Sequence, residues 1–391
     1  MGRKEKRAYL HEIRGRYRKA NRLHKAIILD EFCLVCGYNR KYAIRLIGKD
    51  PQVLKKKPGP KLKYFPEQIL EPLKRIWFTA DQPCSKKLKV MIPEWLPCYE
   101  ETYGILESNV KDQVLSISIS TIDRLLKPVR AVSKNKGLSG TKPGSLLKTH
   151  IPLRTDHWDV TKPGFLEADT VAHCGTSLAG NFVWSLTMTD IFSGWTENRA
   201  TWNKGAYGVS EQIKTIEKSL IFPILGFDCD NGSEFLNHSL HEYFTNRKKG
   251  KQVQFTRSRP YHKNDNAHVE QKNWTHVRQL FGYERFSDER MVVLMNDLYS
   301  KEWSLLQNHF LPSMKLIEKQ KIKSRYTRKH DKPKTPYQRL MDSPDLTDIK
   351  KEELRKVHLT LNPFKLKDLI EKKLKAIFAY VTVTSNMRHR I

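Results

Sequence analysis

The residues Gly164-Phe165-Leu166-Glu167-Ala168-Asp169-Thr170 decide the fold that this sequence predicts. Here apolar and β-branched residues replace a charged helical pattern, and Phe165 to Val171 is predicted to form a strand with Asp169 inside it. Asn181 to Ile191 predicts a second strand. Trp195 to Trp202 predicts a third, antiparallel to the second because a Ser193-Gly194 turn joins them. The centre of the chain therefore begins as a β-sheet.

Helices and strands alternate after this hairpin. The pattern predicts a helix from Ala206 to Leu220, a buried strand from Pro223 to Asp230, a helix from Ser239 to Arg247, a strand from Gln252 to Arg257 and a long helix from Asn266 to Phe281. Such an order is typical of a mixed sheet covered by helices, which makes the central fold class α/β. Helical and basic residues follow, including a Pro-containing basic stretch from Lys321 to Pro336.

The first 63 residues concentrate positive charge, with 19 Lys or Arg against 5 Asp or Glu. Helices are predicted at 9–19, 22–36 and 40–47, and a Gly-containing turn at 36–39 separates the last two. This is the outline of a helix-turn-helix, although such pairs also occur in proteins that never touch DNA. The predicted core residues are Ile27, Ile28, Phe32, Val35, Ala43, Ile44 and Ile47. The residues predicted to face DNA are Arg40, Lys41 and Arg45.

Two further segments in the first half of the chain are candidates for DNA binding. The basic segment around Lys57 fits either an arm in a minor groove or a charged linker. Residues 65–130 predict a second helical DNA-binding unit, with Ser and Thr residues from Ser116 to Thr121 as helix N-caps. Its last helix carries Arg124 as a DNA contact and is predicted to end near Pro128.

The whole chain is therefore predicted to be multidomain, with an all-α front, an α/β core and a helical, basic C-terminal region. The predicted parts are a helix-turn-helix unit at 1–54, a basic linker at 55–64, a second helical unit at 65–130, a linker at 131–155, a catalytic core at 156–290 and a C-terminal region at 291–391.

Composition narrows the possible classes of protein. Hydrophobic residues make up 39% of the 391, which excludes wholesale disorder. The net charge of +29 favours a polyanionic partner, most simply nucleic acid, over the alternatives of a generic basic protein or a membrane-surface binder. The sequence has no apolar run of about 18 residues and no Gly-x-x-x-x-Gly-Lys-Ser/Thr loop, so we expect neither a membrane span nor an ATP motor. Six cysteines fit a reducing compartment.

Three acids stand where chemistry is expected. Asp169 lies in the first strand, Asp230 ends the fourth, and Glu270 lies one turn into the long helix. Carboxylates from neighbouring strand ends and a crossing helix are hard oxygen ligands that suit Mg²⁺ or Mn²⁺. Two such ions would clamp the attacking and leaving oxygens of a phosphoryl transfer. On spacing alone, these acids fit helix caps or ion-pair partners equally well.

The motifs around these acids resemble a known family, the retroviral-integrase-like transposases of bacterial insertion sequences. The motifs are Gly164 to Thr170, Thr189 to Trp195, Asp230 to Phe235, Arg257 to Tyr261 and Asn264 to Glu270. They occur in the family's order over about residues 160–285, and Thr335 to Leu340 resembles the tail of such cores.

The resemblance implies a ribonuclease-H-like integrase core whose catalytic and metal-binding residues are Asp169, Asp230 and Glu270. It implies an enzyme that cleaves and joins DNA with two Mg²⁺ or Mn²⁺ ions, in DNA integration, recombination and transposition. Its partners would be double-stranded DNA, as terminal inverted repeats and target, and further copies of itself in a dimer or tetramer. We expect a cytoplasmic, nucleoid-associated bacterial protein without membrane or ATP.

Several residues near the triad keep more than one interpretation. Asp228 is a rival for the second acid because it faces the same way two residues earlier, although the motif favours Asp230. Asp190 is expected to fix the hairpin turn, and Gly232 to allow a sharp turn after Asp230. Asn266 would either steady Glu270, touch DNA or cap the helix.

Other residues follow from the same motifs. Asn273 lies one turn beyond Glu270, and the residues favoured as DNA-facing are His262 and Lys263. The spacing between the second Asp and the Glu is slightly longer than the family's usual one, which places an insertion near Lys248 to Gly250. Cys33 and Cys36 fit a helical core spacing better than a zinc site.

Two other functions remain open from the sequence. A DNA-binding regulator with a degenerate nuclease-like core is the main alternative to a transposase, but it gives no reason for all three acids to stay in register. A structure-specific nuclease would not need two DNA-binding units in front of its core.

Overall fold

The structure is a computed structural model in which two compact units are resolved, Met1–Lys63 and Tyr64–Ile391. The residues that it describes are 1–49, 64, 66–132, 160–230, 232–247, 252–257, 267–322 and 325–388. Of the predicted features, Lys57, the insertion near 248–250, and residues His262, Lys263 and Asn266 lie outside these ranges. Within the described ranges, no helix is long and apolar enough to cross a membrane.

The first unit consists of α1 (Arg3–Lys19), α2 (Arg22–Cys36) and α3 (Arg40–Gly48) in its described part. The Asn21 side chain caps α2 by accepting from His24 N, and the Asn39 side chain caps α3 by accepting from Lys41 N. Gly37 ends α2 with a left-handed φ of 65°, which confirms the predicted turn. Sequence patterning therefore predicts this unit closely.

The predicted core of the first unit is wrong at three positions. The prediction is confirmed for Ile28, Phe32, Ala43 and Ile47, which are buried. Ile27, Val35 and Ile44 are 63%, 45% and 48% exposed. The helical period explains the difference, because α2 buries a stripe of residues four apart, and Ile27 and Val35 fall outside it.

The second unit is built on a mixed sheet. Its strands are β1 (Phe165–Ala172), β2 (Val183–Asp190), β3 (Thr196–Trp202), β4 (Gly226–Cys229) and β5 (Gln254–Arg257), in the order β3-β2-β1-β4-β5. β2 runs antiparallel to β1 and β3, whereas β1, β4 and β5 are parallel. This arrangement confirms the predicted ribonuclease-H-like α/β core.

The two faces of the sheet differ in chemistry. On one face, Leu166 and Ala168 of β1 join an apolar cluster with α8 (Ala206–Ser219) and α9 (His238–Thr245). The opposite face presents Glu167 and Asp169, because successive strand residues point to opposite sides. A helix that we call α10 follows there, comprising Ala267–Lys272, a π-helical turn Asn273–Arg278 and Gln279–Phe281. The polar face is thus the one that holds the predicted acids.

The helical segments that precede and follow the sheet in the sequence pack with it in two hydrophobic clusters. These segments are α4 (Pro66–Thr79), α5 (Ser85–Tyr103), α6 (Ser108–Ser116), α7 (Ile119–Val132), α11 (Met291–Leu298, Tyr299–Trp303 and Ser304–Phe310), α12 (Pro336–Asp342), α13 (Asp348–Leu359) and α14 (Pro363–Arg388). Of these, α12 and α13 belong to the same cluster as α8 and α9. Trp95 of α5 packs against Phe310 and Phe364, at ring-centroid distances of 6.1 and 5.5 Å. The parts that we predict as separate at 65–130, 156–290 and 291–391 therefore belong to one compact unit.

Two local predictions about this unit need correction. α7 continues through Pro128 to Val132 rather than ending near Pro128. A buried apolar stripe outweighs the single backbone hydrogen bond that proline removes, and α4 and α5 also contain prolines. The basic stretch from Lys321 contains strands, since β6 (Leu316–Ile322) pairs antiparallel with β7 (Arg325–His330). The predicted N-cap is confirmed at Ser118, whose Oγ accepts from Thr121 N at 3.2 Å.

Two asparagines of α11 pair with the outer edge of β3. Asn308 accepts from Thr196 N and donates to Thr196 O, both at 2.9 Å. Asn296 accepts from Ala200 N at 2.7 Å and donates to Ala200 O at 2.9 Å. The amides thereby satisfy backbone groups that an edge strand would otherwise leave unpaired.

We predict that Asn308→Ala lowers the free energy of unfolding by about 2–6 kcal/mol, since two buried backbone groups each lose a partner worth about 1–3 kcal/mol. Urea denaturation measures this change. Asn109→Ala, which removes an exposed asparagine from α6, is the control and should cost less than about 1 kcal/mol. Equal effects of the two substitutions would contradict the edge-pairing role.

Candidate active site

The candidate site starts with a buried carboxylate on β1. Glu167 is 4% exposed, and its Oε2 accepts hydrogen bonds from the backbone N–H groups of His268 and Val269, each at 3.0 Å. The pKa of Glu167 is raised to about 8, chiefly by burial and in smaller part by the nearby charges of Asp228 and Glu270. Glu167 thus ties the first turn of α10 to the central strand.

Asp169 lies two residues further along the same face of β1. Its Oδ2 accepts from Asn273 Nδ2 and its Oδ1 from Thr170 N, both at 2.7 Å. Burial raises the pKa of Asp169 to about 6, and the negative charges of Asp230 and Glu270 also raise it. The three acids singled out in the sequence are therefore close enough to interact electrostatically.

Asp230 follows β4 and begins a tight turn. Its Oδ1 accepts from Gly232 N at 3.0 Å. A Cβ atom on Gly232 would lie 2.4 Å from Oε2 of Glu234, a residue that is 1% exposed. The close approach of Glu234 is therefore a reason for glycine at this position, and the predicted backbone freedom of Gly232 stays a prediction.

Lys204 is a site residue that sequence analysis misses. Its Nζ lies 2.6 Å from Oε1 of Glu234 and 5.1 Å from the centre of the Trp184 ring. Its positive charge lowers the pKa of Asp169 and so offsets part of the repulsion from the other acids. A single lysine after an edge strand carries no motif, which is why the sequence does not reveal it.

Glu270 is exposed on α10, one turn before the π-helical turn that begins at Asn273. The Asn273 side chain donates to Asp169, while its buried Oδ1 has no hydrogen-bond partner among the residues that the structure describes. An unpartnered buried oxygen beside carboxylates is a candidate ligand or water site. π-helical turns are frequent at functional sites, and this one places Asn273 against Asp169.

The other acids near the site have structural partners. Asp228 accepts from Thr256 Oγ1 at 2.7 Å, on the neighbouring strand β5. Asp190 is fully buried and accepts from Gly164 N at 2.8 Å and from Ser193 N at 2.7 Å. The prediction that Asp190 fixes the hairpin turn is confirmed.

The described residues predicted to face DNA are on the surface. Arg40, Lys41 and Arg45 are exposed on α3, and Arg40 forms an ion pair with Asp30. Arg124 is exposed on α7. All four remain predictions as DNA contacts.

Lys272 lies on α10 between Glu270 and the π-helical turn, and it is half-buried. Its pKa is lowered to about 7, chiefly by burial and in smaller part by the positive charges of Lys87 and Arg339. Lys272 therefore faces cations of the surrounding helices.

No ready metal-binding group of three or more His, Cys, Asp or Glu residues occurs in the part of the chain that the structure describes. The donor chemistry nevertheless fits a hard divalent cation, since the site offers carboxylates and the unpartnered Asn273 oxygen. Mutual repulsion among acids is the condition that a bound cation relieves.

Comparison with known proteins gives one clear relationship, although no protein-family model matches the chain. The chain is 37% identical over 326 residues to the uncharacterized protein y4rM of Sinorhizobium fredii (strain NBRC 101917 / NGR234), covering 83% of this chain and 91% of that protein. This chain belongs to the y4rM family. Because that relative is uncharacterized, membership of the y4rM family brings no activity with it.

Two solved structures show weak similarity to this y4rM-family chain. The catalytic core domain of BIV integrase is 14% identical with a TM-score of 0.26, over 45% of this chain and 91% of that one. The HTLV-2 integrase catalytic core domain in complex with magnesium (trimeric form) is 16% identical with a TM-score of 0.27, over 38% and 86%. The fold assignment rests on the order and directions of the strands in the chain itself.

We predict that Glu167→Ala lowers the free energy of unfolding by about 2 kcal/mol, because α10 loses the acceptor for its first N–H groups. Glu167→Gln keeps a carbonyl acceptor of the same length and should cost less than about 1 kcal/mol. Urea denaturation gives both values, and hydrogen exchange at His268 and Val269 reports the cap directly. Slow exchange at both amides in Glu167→Ala would contradict this role.

Proposed function

We propose that this protein is a DNA transposase that binds the terminal inverted repeats of a mobile element and catalyses metal-dependent DNA strand cleavage and strand transfer. The observation that carries the proposal is the placement of the three acids. β1 and β4 are parallel neighbours with Ala168 opposite Cys229, which brings Asp169 and Asp230 side by side, and the helix that carries Glu270 is bound to Glu167 and Asp169 on β1. Acids from β1, from the end of β4 and from α10 act there on one another although they are 61 and 40 residues apart in sequence. A protein gains nothing in stability from such repulsion, so the arrangement favours chemistry.

Asp169, Asp230 and Glu270 are the residues that would hold Mg²⁺ or Mn²⁺ in this proposal, with Asn273 as a neighbouring oxygen. Two bound ions would stabilise charge on the attacking and leaving oxygens of an in-line phosphoryl transfer. Water would be the first nucleophile and a freed DNA 3′-hydroxyl the second, so no covalent enzyme intermediate is required. The integrase cores cited above support this assignment only as a similarity.

The surrounding side chains would orient the acids. Glu167 holds the start of α10, and therefore Glu270, against β1. Asn273 holds one oxygen of Asp169, and Lys204 supplies a compensating positive charge. Glu270 is exposed, which leaves the site open to a duplex.

DNA recognition belongs to other surfaces in this proposal. Arg40, Lys41 and Arg45 on α3 would contact the element ends, and Arg124 would contact DNA from α7. Lys57, His262 and Lys263 remain predicted contacts. Because the chain carries a net charge of +29, affinity should fall steeply with salt. Each element end needs a protomer, so the active form would be a dimer or tetramer on DNA.

A transposition assay tests the triad. The gene is supplied beside its own flanking DNA, and insertions are counted by sequencing for the wild type and for Asp169→Asn, Asp230→Asn and Glu270→Gln. We predict that each substitution lowers the insertion frequency at least about 100-fold, since each removes a charged ligand. Binding of the same DNA by the purified variants should be retained.

Asp228→Asn is the matched control, because it removes a carboxylate from the same strand and keeps an oxygen to accept from Thr256. It should retain most of the insertion frequency. Full activity of Glu270→Gln would refute the triad. If Asp228→Asn loses activity while Asp230→Asn keeps it, the second acid of the triad is Asp228 rather than Asp230. If the wild type gives no insertions but still binds DNA specifically, the alternative function is favoured, a DNA-binding regulator with a degenerate nuclease-like core.

A further inference from the structure

The strands β6 and β7 form a two-stranded ribbon of strongly basic composition. Residues 316–330 contain six Lys or Arg and a single Glu. The strands pair antiparallel from Leu316 opposite His330 to Ile322 opposite Arg325. At about 3.3 Å per residue, the ribbon is roughly 20 Å long.

The ribbon stands apart from the hydrophobic cores. Every residue of β7 is exposed, and no residue of either strand belongs to a hydrophobic cluster formed by the described residues. A two-stranded hairpin without a buried face is marginally stable in water. We therefore attribute the basic sequence of the ribbon to binding of a partner and not to packing within this chain.

The base of the ribbon, by contrast, is firmly held. Lys315 N donates to Asp331 Oδ1 at 2.6 Å, and Arg339 Nη1 lies 2.6 Å from Asp331 Oδ2. Lys315 Nζ donates to Ile191 O at 2.9 Å and to Phe192 O, at the end of β2. These contacts fix where the ribbon leaves the domain.

Pairing places cations on both faces of the ribbon. Lys321 lies opposite Tyr326, with its Nζ 5.9 Å from the centre of the ring, and Arg328 follows on the same face because it is two residues from Tyr326. On the other face Lys329 lies opposite Glu318. Cations on two faces of a thin ribbon match an anionic partner that flanks it on both sides.

The base of the ribbon also lies near the candidate active site. Ile191, whose carbonyl accepts from Lys315 Nζ, donates its backbone N–H to Phe165 O at 2.8 Å, two residues before Glu167 on β1. His268 donates its backbone N–H to Glu167 and lies two residues before Glu270. A partner bound along the ribbon would therefore extend from the edge of the acidic site.

We propose that the ribbon, formed by Leu316–Ile322 and Arg325–His330, is a second binding surface for duplex DNA, lying in a groove of the DNA that enters the active site. The major groove, about 12 Å wide, admits a two-stranded ribbon, with phosphates on either side to meet its cations. This inference rests on the proposed function, because it takes DNA as the substrate. It adds a contact surface separate from α3 and α7.

The test compares two variants of the full chain that lose equal charge. The ribbon variant is Lys321→Gln/Arg328→Gln/Lys329→Gln. The control is Lys356→Gln/Lys372→Gln/Lys375→Gln, at exposed positions of α13 and α14. Fluorescence anisotropy measures binding of a 30-base-pair duplex without element ends, across a range of salt concentrations, and circular dichroism checks that both variants are folded.

We expect the ribbon variant to bind at least about tenfold more weakly than the wild type at about 0.1 M salt, with a salt slope lower by about 2–3. The control should lose less than about threefold. Equal losses in the two variants would overturn the proposal, because they would reflect net charge alone. The same anisotropy measurement with a single-stranded RNA is a second test. If the ribbon variant loses more affinity for that RNA than for duplex DNA, the proposal is also overturned.

Failure of this inference is distinguishable from failure of the proposed function. If the wild type binds duplex DNA and the ribbon variant matches the control, only the ribbon assignment fails. If the wild type binds no duplex at any salt concentration, the proposed function itself fails.

Discussion

The hydrogen bonds from His268 and Val269 to the Glu167 carboxylate are the contact on which the rest of the candidate site depends. They join the first turn of α10 to the central strand of the sheet. The same helix carries Glu270 and, one turn later, Asn273, which holds Asp169. The buried Glu167 side chain thus sets the position of α10. The same helix contacts Asp169, two residues further along β1, through Asn273.

This arrangement requires a sheet with unlike faces. The face that packs against α8 and α9 is apolar and supplies burial free energy, while the opposite face carries acids that gain nothing from burial. Helices that precede and follow the sheet in the sequence pack together in a further hydrophobic cluster, in which Trp95 contacts both Phe310 and Phe364. The burial of apolar side chains between segments distant in sequence therefore offsets the unfavourable free energy of the acidic face of the sheet.

Sequence patterns predict the sheet and most helices of this protein because their signals are local. The alternation from Phe165, the Ser193-Gly194 turn, the turn at Gly37 and the cap at Ser118 each act within a few residues. Glu167, Lys204 and Asn273 acquire their roles only through partners 30 to about 100 residues away, so no local pattern reveals those contacts. The ribbon is missed because its residues are charged on both faces, which removes the alternation that a half-buried strand shows. The predicted helix end near Pro128 is wrong because tertiary packing of α7 outweighs the one backbone hydrogen bond that proline removes.

The central claim is that Asp169, Asp230 and Glu270 form one metal-binding site. The most direct measurement is the anomalous diffraction of Mn²⁺ in crystals of the protein soaked with that ion. The account predicts anomalous peaks in direct contact with the carboxylates of Asp169 and Asp230, beside Glu270, and no such peak in crystals of Asp169→Asn. Mn²⁺ bound only elsewhere on the protein, with these carboxylates free of metal at saturating concentration, would contradict it.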